Sequence, residues 1–420
     1  MNHTTFGSRL RSALLAIAVV ATPLSAFAGG QLYLLSNNPP HWTTGQYPVG
    51  YNINPGSATG NIDGVDAPAQ FANAVMSAFQ SWEDLGTATI TFQRNADSTL
   101  LTDNSGTDGV NLMVFNNVAI VQGIPLPLPA GVLGVTNTFF DTTTGVISGG
   151  AITLNTEPLP DHPNPDYSTS GVNGTLDVEA IVLHEAGHYI GMCHSAVRNS
   201  TNGDLVGQPT NAAVMFPFLG DDIADSRVPD EDDVAWASKI YPAPSYGTSF
   251  GAIQGDLPLG TGAGCGGGAD GVHVVARRLD QLVGGQPRMV VGTYSYTEDG
   301  PQGRWTIPGL PPGQYAVWAE PLDGSPVSNL QVNSRTQFGA TTNILEDWYS
   351  GSNESGTEPN PGDVSTATLV TVTAGQTTSG KNIQVQTAAA VNGLVPMAAP
   401  IGLLLASRRV RRRRVRALDA

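Results

Sequence analysis

Between residues 67 and 85 apolar side chains return every three or four positions, at Phe71, Val75, Ala78, Phe79 and Trp82. That spacing lines one face of an α-helix and predicts a helix over 67–85 with this face inward. A second helical pattern runs over 177–191 and a third over 231–240. Around them lie short runs rich in β-branched and aromatic residues, which predict strands over 49–53, 88–92, 110–115, 132–140 and 151–154. Strands leading into helices imply an α+β domain with a mixed sheet and three main helices, ending near Tyr241 and Pro242.

Beyond Ser245 the helical period disappears. Strand-like runs over 272–278, 289–296, 303–307, 314–320, 367–372 and 381–385 alternate with Gly, Pro, Asn and Asp clusters, as in a small all-β sandwich. The chain therefore divides into 29–245 and 246–386, with a leader before and a tail after. With 420 residues, two or three domains are expected.

Composition narrows the class. The chain has 50 Gly and 30 Pro, yet six Trp, eleven Tyr and twelve Phe supply real cores, so neither collagen nor a wholly disordered chain fits. Of 19 basic residues, nine lie in the two ends (Arg9, Arg11 and seven from Arg408 to Arg416), so residues 29–406 carry 10 basic against 34 acidic groups, a net −24. Such a surface repels phosphate backbones, and no nucleic-acid partner is expected.

The ends read as addresses. Arg9 and Arg11, the apolar run 13–21 and Ala26-Phe27-Ala28 have the order of a secretory signal cleaved before Gly29. The apolar run is too short for the ~20 residues of a membrane span. Residues 393–406 are apolar and precede an arginine cluster. This order resembles the C-terminal sorting tails of Gram-negative surface proteins, which implies transient membrane association. A solvated basic tail is the other reading. Of the two cysteines, Cys193 and Cys265, either a pair across the domains or two separate thiols fits.

The chemistry concentrates in residues 183–194. His184 and His188 stand at i and i+4 on the predicted helix, so both imidazoles leave the same face and can ligate one Zn²⁺. Glu185 falls beside them, within reach of a water at the ion but not itself a ligand. Gly191 permits a sharp exit that swings His194 back as a third nitrogen, leaving the fourth position for water. The string His-Glu-x-x-His-x-x-Gly-x-x-His, with Ala213-Val214-Met215-Phe216-Pro217 after it, resembles the metzincin zinc peptidases and, among them, the matrixins. Ser195, the segments Phe79-Gln80-Ser81-Trp82 and Ile90-Thr91-Phe92, and Asp232 to Trp236 extend the resemblance over about 40–242.

That resemblance implies a metzincin fold and a zinc endopeptidase acting on protein or peptide substrates, with Glu185 as general base and then acid. It also implies Met215 as an apolar floor under the metal site, and an extended peptide docking by β-augmentation along an edge strand near 151–154. Phe216 stands where the family usually has Tyr, so no phenol assists. His41, His162 and His273 are too few for the second, structural zinc of that family. Cys193 next to His194 reads as structural. The Asp-rich loops 103–108 and 161–166 offer oxygen ligands for a structural Ca²⁺ and read equally well as turns.

The later segment Gly303 to Tyr315, with its Gly-Leu-Pro-Pro-Gly turn, and Val370 to Gln376 resemble carboxypeptidase regulatory-like, transthyretin-like sandwiches over about 248–386. Trp318 and Trp348 read either as core or as a sugar-stacking surface. A catalytically silent metzincin-fold binding protein is the competing reading of the whole chain, and the presence of Glu185 with all three histidines argues against it.

Overall fold

A computed structural model describes residues 39–62, 66–103, 105–121, 124–158, 167–171, 176–197, 213–217, 225–260, 267–280, 282–283, 286–287, 290–295, 302–321, 344–351 and 367–386. The leader, the tail, Cys265, His162 and the 161–166 loop fall outside these residues. Within them the protein is mixed α/β, with four helices and several sheets. None of these helices is long and apolar enough to cross a membrane.

In the first half, β1 (Val49–Ile53), β2 (Phe92–Arg94), β3 (Leu112–Phe115), β6 (Gly134–Phe140) and β7 (Ile147–Leu154) form a sheet in the order β2-β1-β3-β7-β6. All neighbours are parallel except β6, which pairs antiparallel with β7. β4 (Val118–Val121) and β5 (Ile124–Pro127) make a separate ribbon, and β8 (Tyr167–Ser168) pairs with β9 (Leu176–Asp177). One expectation is corrected here. The stretch 151–154 belongs to β7, which is bonded on both sides, and the sheet ends at β6 instead. The apolar, nearly continuous burial of β7 is what a central strand shows.

Helix α1 (Ala67–Glu83) buries Phe71, Val75, Ala78, Phe79 and Trp82, the face its spacing predicts. Its Phe79 stacks on Tyr51 of β1 at a centroid distance of 4.3 Å, pinning the helix to the sheet. Helix α2 (Val178–Tyr189) packs against α1 in the same core, and Trp82 Nε1 donates to the Leu183 carbonyl at 2.9 Å. Helix α3 (Glu231–Ile240) closes this half, and a single-turn α4 (Tyr246–Ser249) follows where no helix was expected.

The other elements among the described residues of the second half are strands: β10 (Gly251–Asp256), β11 (His273–Arg278), β12 (Leu282–Val283), β13 (Gln286–Pro287), β14 (Val290–Tyr294), β15 (Arg304–Leu310), β16 (Gly313–Glu320), β17 (Asp347–Trp348), β18 (Val370–Val372) and β19 (Thr377–Thr378). One sheet has the order β15-β10-β19, another β14-β11-β16-β17 with β18 also on β16, and β12 pairs with β13. Ile253 and Ile307 of the first and Val274, Tyr315 and Val317 of the second meet in one core. Trp318 and Trp348 are buried at 2% and 1% exposure with rings 4.8 Å apart, so they are core residues with no face for a sugar. The expected strand 381–385 is extended but bonds on one side, through Lys381, Ile383 and Val385 to Gln254, Asp256 and Pro258.

The two halves share packing. Val197, three residues past His194, is buried with Val275, Val290, Ala316, Trp318 and Trp348 of the second half, and Ala235 of α3 joins the core of Ile253 and Trp305. Val197→Ala, which removes two methylene equivalents from this junction, is expected to cost about 2 kcal/mol. A shift of the urea midpoint, without loss of coincidence between the fluorescence and circular dichroism transitions, checks it.

Candidate metal centre

Helix α2 is fixed at both ends before it presents any chemistry. At its start Asp177, fully buried, caps the helix by accepting from Ala180 N at 2.9 Å, and Arg227 grips the same carboxylate through Nε at 2.9 Å and Nη2 at 2.5 Å. At its end Gly191 has φ +88°. Its N–H bonds the His188 carbonyl and the Met192 N–H bonds the Gly187 carbonyl, both at 2.9 Å, which is a Schellman close. A side chain at Gly191 would strike the Pro40 carbonyl. Trp42 Nε1 and the Tyr241 hydroxyl then take the carbonyls of Tyr189 and Ile190 at 3.0 and 2.6 Å. The chain is thus turned back over the helix it has just left, and His194 faces His184 and His188.

The three imidazoles each offer a nitrogen, and these atoms lie within 4.8 Å of one another. His184 Nε2 and His194 Nε2 stand 3.2 Å apart. Two nitrogens each ~2.0–2.1 Å from one tetrahedral ion are separated by about 3.3 Å, so the spacing suits a shared cation. The far nitrogens settle the tautomers. His184 Nδ1 donates to the Val214 carbonyl at 2.6 Å and His188 Nδ1 to the Met192 carbonyl at 2.9 Å, which leaves both Nε2 lone pairs inward. Burial drives the His184 pKa down to about 4 and that of His188 down to about 3, the latter with help from the neighbouring His184. Neutral rings with inward lone pairs are what a metal requires. The site can therefore hold a metal ion. Cys193 is buried and is not among the converging ligand atoms.

Glu185 follows His184 on the helix but leans the other way, onto the edge strand. Thr136 Oγ1 lies 2.7 Å from Glu185 Oε2 and 2.8 Å from the Glu185 carbonyl oxygen. A Cβ on Gly134 would come within 2.9 Å of Glu185 Oε1, so a glycine there makes the room this carboxyl occupies. Burial pushes the Glu185 pKa up to about 7, against the lowering effect of the Thr136 hydroxyl. A carboxyl poised near neutrality exchanges protons readily in either direction.

Met215 is 1% exposed, and its sulfur lies against Gly187, where any Cβ would overlap it. The turn that carries it is held by Asp233, whose carboxylate accepts from Val214 N at 2.6 Å and Met215 N at 3.0 Å while also closing the α3 cap at Asp230 N, 2.8 Å. Met215 returns its carbonyl to Ser195 N at 2.8 Å. Asp232, adjacent to Asp233, accepts from the Ser195 hydroxyl at 2.6 Å. Burial raises both carboxyls, Asp232 to about 6 and Asp233 to about 7.

All the sequence-derived site residues, His184, Glu185, His188, His194 and Met215, are brought together on α2 and its two flanking turns. Thr136, Gly134, Trp42, Tyr241 and the supporting roles of Asp232 and Asp233 were not legible beforehand. Only Asp233 carried a local signal, standing three residues after the N-cap Asp230. Asp103 is buried with Oδ1 on Ser105 N and Oδ2 without a hydrogen-bond partner among the described residues, and His41 Nδ1 bonds the Pro39 carbonyl. Among the described residues, the histidine triplet is the one converging group of three or more His, Cys, Asp or Glu.

Gly187→Ala is expected to destabilise the fold by about 1–3 kcal/mol, since its methyl must displace Met215 and stands 3.1 Å from Trp82 Cζ2. Thermal and urea unfolding of the metal-free protein reads this out. No protein-family model matches this chain and no curated protein matches it, so what the centre does is argued from its own residues.

Proposed function

We propose that the chain is an exported zinc endopeptidase of the metzincin kind, resembling the matrixins, that hydrolyses peptide bonds in protein substrates. The observation that carries this reading is the convergence of three imidazole nitrogens, with Glu185 next to His184 on the same helix, buried and poised near neutrality. Three nitrogen ligands, with no fourth His, Cys, Asp or Glu converging on them among the described residues, match the ligand set of a catalytic rather than a structural zinc site. The sheet order, with a single antiparallel edge strand above the helix that carries both histidines, is consistent with that resemblance. In the second half, two sheets sharing one core are consistent with a transthyretin-like sandwich.

Bound zinc supplies Lewis acidity, polarising a carbonyl and acidifying water near pH 7. His184, His188 and His194 would hold it, their Nδ1 atoms or loop anchored as described. Glu185 takes a proton from the attacking water and delivers it to the departing amine nitrogen, its carboxyl held by Thr136 throughout. An extended peptide adds to β6, whose outer edge has no strand partner among the described residues. Thr136 sits in that strand, so the residue orienting the base and the strand receiving substrate are one element. The signal-like leader, with Arg9 and Arg11, the apolar run 13–21 and Ala26-Phe27-Ala28, supports a location outside the cytoplasm, at the surface or beyond.

Digestion of casein or gelatin by the chain from Gly29 onward tests this. Glu185→Gln is expected to cut activity roughly 10²–10⁴-fold while still binding zinc. A chelator is expected to abolish wild-type activity, and added zinc to restore it. A wild type that binds one zinc yet cleaves nothing across a broad peptide library overturns the peptidase in favour of a silent binding protein. Gly134→Ala, which crowds Glu185 without touching a metal ligand, is expected to lower kcat and leave zinc affinity unchanged, as steady-state kinetics and a zinc titration would show.

A further inference from the structure

We infer that the second half of the chain is a working part of the metal centre: Gly292 of β14 locks Asp232, and Asp232 clamps Ser195 and thereby sets the position of His194. The inference rests on reading His184, His188 and His194 as a metal centre. It adds to that reading two positioning residues and a role for the C-terminal half.

The chain of contacts is continuous. His194 stands on an irregular segment, and the next residue, Ser195, gives its hydroxyl to Asp232 Oδ2 at 2.6 Å and takes the Val197 N–H at 3.0 Å. The other oxygen, Asp232 Oδ1, accepts the Gly292 N–H at 2.8 Å. Asp232 is 1% exposed. A carboxylate buried that deeply needs both oxygens partnered, and one partner comes from each half of the protein. One turn further along α3, Trp236 Nε1 donates to the Gly292 carbonyl at 3.0 Å. Helix α3 thus grips a single residue of β14 by both of its backbone groups, from positions i and i+4.

Gly292 is fitted to this place by what surrounds it. A Cβ there would overlap His273 Nε2 and come within 2.8 Å of Val197 Cγ2. His273 is itself held, its Nδ1 2.6 Å from Glu320 Oε1, and Glu320 Oε2 accepts from Trp318 Nε1 at 3.0 Å. Val197 then buries its side chain in the apolar cluster of β11, β14, β16 and β17. The segment 194–197 is held within the first half by Ser195 N on the Met215 carbonyl and by the Val197 carbonyl on Ala213 N, and two further fastenings, Ser195 through Asp232 and Val197 through packing, end in the second half. Without that half, Asp232 Oδ1 loses its donor and Val197 its core, while His188, whose Nδ1 bonds the Met192 carbonyl, keeps its support. His194 is the ligand that the junction reaches most directly, through the residue next to it in the chain.

The test uses the full chain, competition for Zn²⁺ against a chromophoric chelator, and the visible spectrum of the Co²⁺ form. Asp232→Ala is expected to weaken Zn²⁺ binding roughly 10–100-fold, the range for loss of a supporting contact, and to shift the Co²⁺ bands. Trp236→Phe keeps an aromatic ring, touches neither Ser195 nor a ligand, and loosens only the grip on Gly292; a several-fold loss of affinity is expected. Asp232→Asn keeps an acceptor for Gly292 and a partner for Ser195, and is expected to recover most of the affinity. Ile383→Val, a one-methylene loss in the core of the same half, is expected to bind Zn²⁺ as the wild type does. Wild-type affinity in both Asp232→Ala and Trp236→Phe overturns the inference, and so does an equal loss in Ile383→Val, which would make stability alone the cause. Should Asp232→Ala not fold, Trp236→Phe against Ile383→Val decides. Failure of the underlying reading looks different: a wild type whose Zn²⁺ affinity is untouched by His188→Ala has no centre at these histidines, and the inference falls with it.

Discussion

Everything at the centre depends on how α2 stops. A helix that ends inside a protein leaves carbonyls that water cannot reach, and each unpaired one costs about 1–3 kcal/mol. Here the last turn is closed by the Met192 and Gly191 N–H groups, and the carbonyls of Tyr189 and Ile190 are taken by Trp42 and Tyr241. Those two side chains come from opposite ends of the first half, 199 residues apart, and also bond each other through Trp42 N and the Tyr241 hydroxyl. Closing the helix therefore closes the domain. The positive φ of Gly191 is the local condition for it, because only that conformation returns the chain towards the face carrying His184 and His188.

A second constraint is the treatment of buried carboxyls. Asp177, Glu185, Asp232 and Asp233 are all nearly or fully inaccessible in a chain rich in acids. Asp177 has Arg227 as a charged partner, whereas Asp232 and Asp233 rely on hydroxyl and backbone N–H donors. The difference fits their positions. Asp177 fixes the remote end of α2, where Arg227 supplies a charged partner. The pair on α3 sits close to a centre that would carry a cation, and N–H and O–H donors can satisfy a carboxylate there without adding a positive charge that would compete with the metal.

What the sequence discloses and what it hides divide along locality. The face of α1 was legible because residues three and four apart must share a side, and the histidine spacing on α2 was legible for the same reason. The exit at Gly191 was legible because glycine is needed there. By contrast, the buried run of β7 says that a strand is covered on both faces but not which neighbours it has, and so 151–154 could pass for an edge. Proline at positions 125 and 127 disguised β5, and the two glycines of β10 broke its alternation. Trp318 and Trp348 were undecidable in sequence, since only their pairing across β16 and β17 buries them. Thr136 is the clearest case: nothing near it in sequence distinguishes it from Thr138, and its contact with Glu185 exists only through the register of β6 over α2.

That register has a mechanical consequence. Among the described residues β6 is bonded to β7 along one side and to no strand along the other, so its geometry is fixed from within the sheet and open to completion from outside. Thr136 and Gly134 of the same strand hold the Glu185 carboxyl by a hydroxyl and by an empty space where a Cβ would sit. A backbone pairing with the outer edge of β6 would stiffen the strand whose inner contacts orient the Glu185 carboxyl, and any shift of register by one residue would exchange Thr136 for a neighbour that points to the opposite face. On the other flank, His194 is held through Ser195 and Asp232 against β14. The Glu185 carboxyl and the third imidazole are thus steadied by two different sheets, one from each half of the chain, with α2 between them.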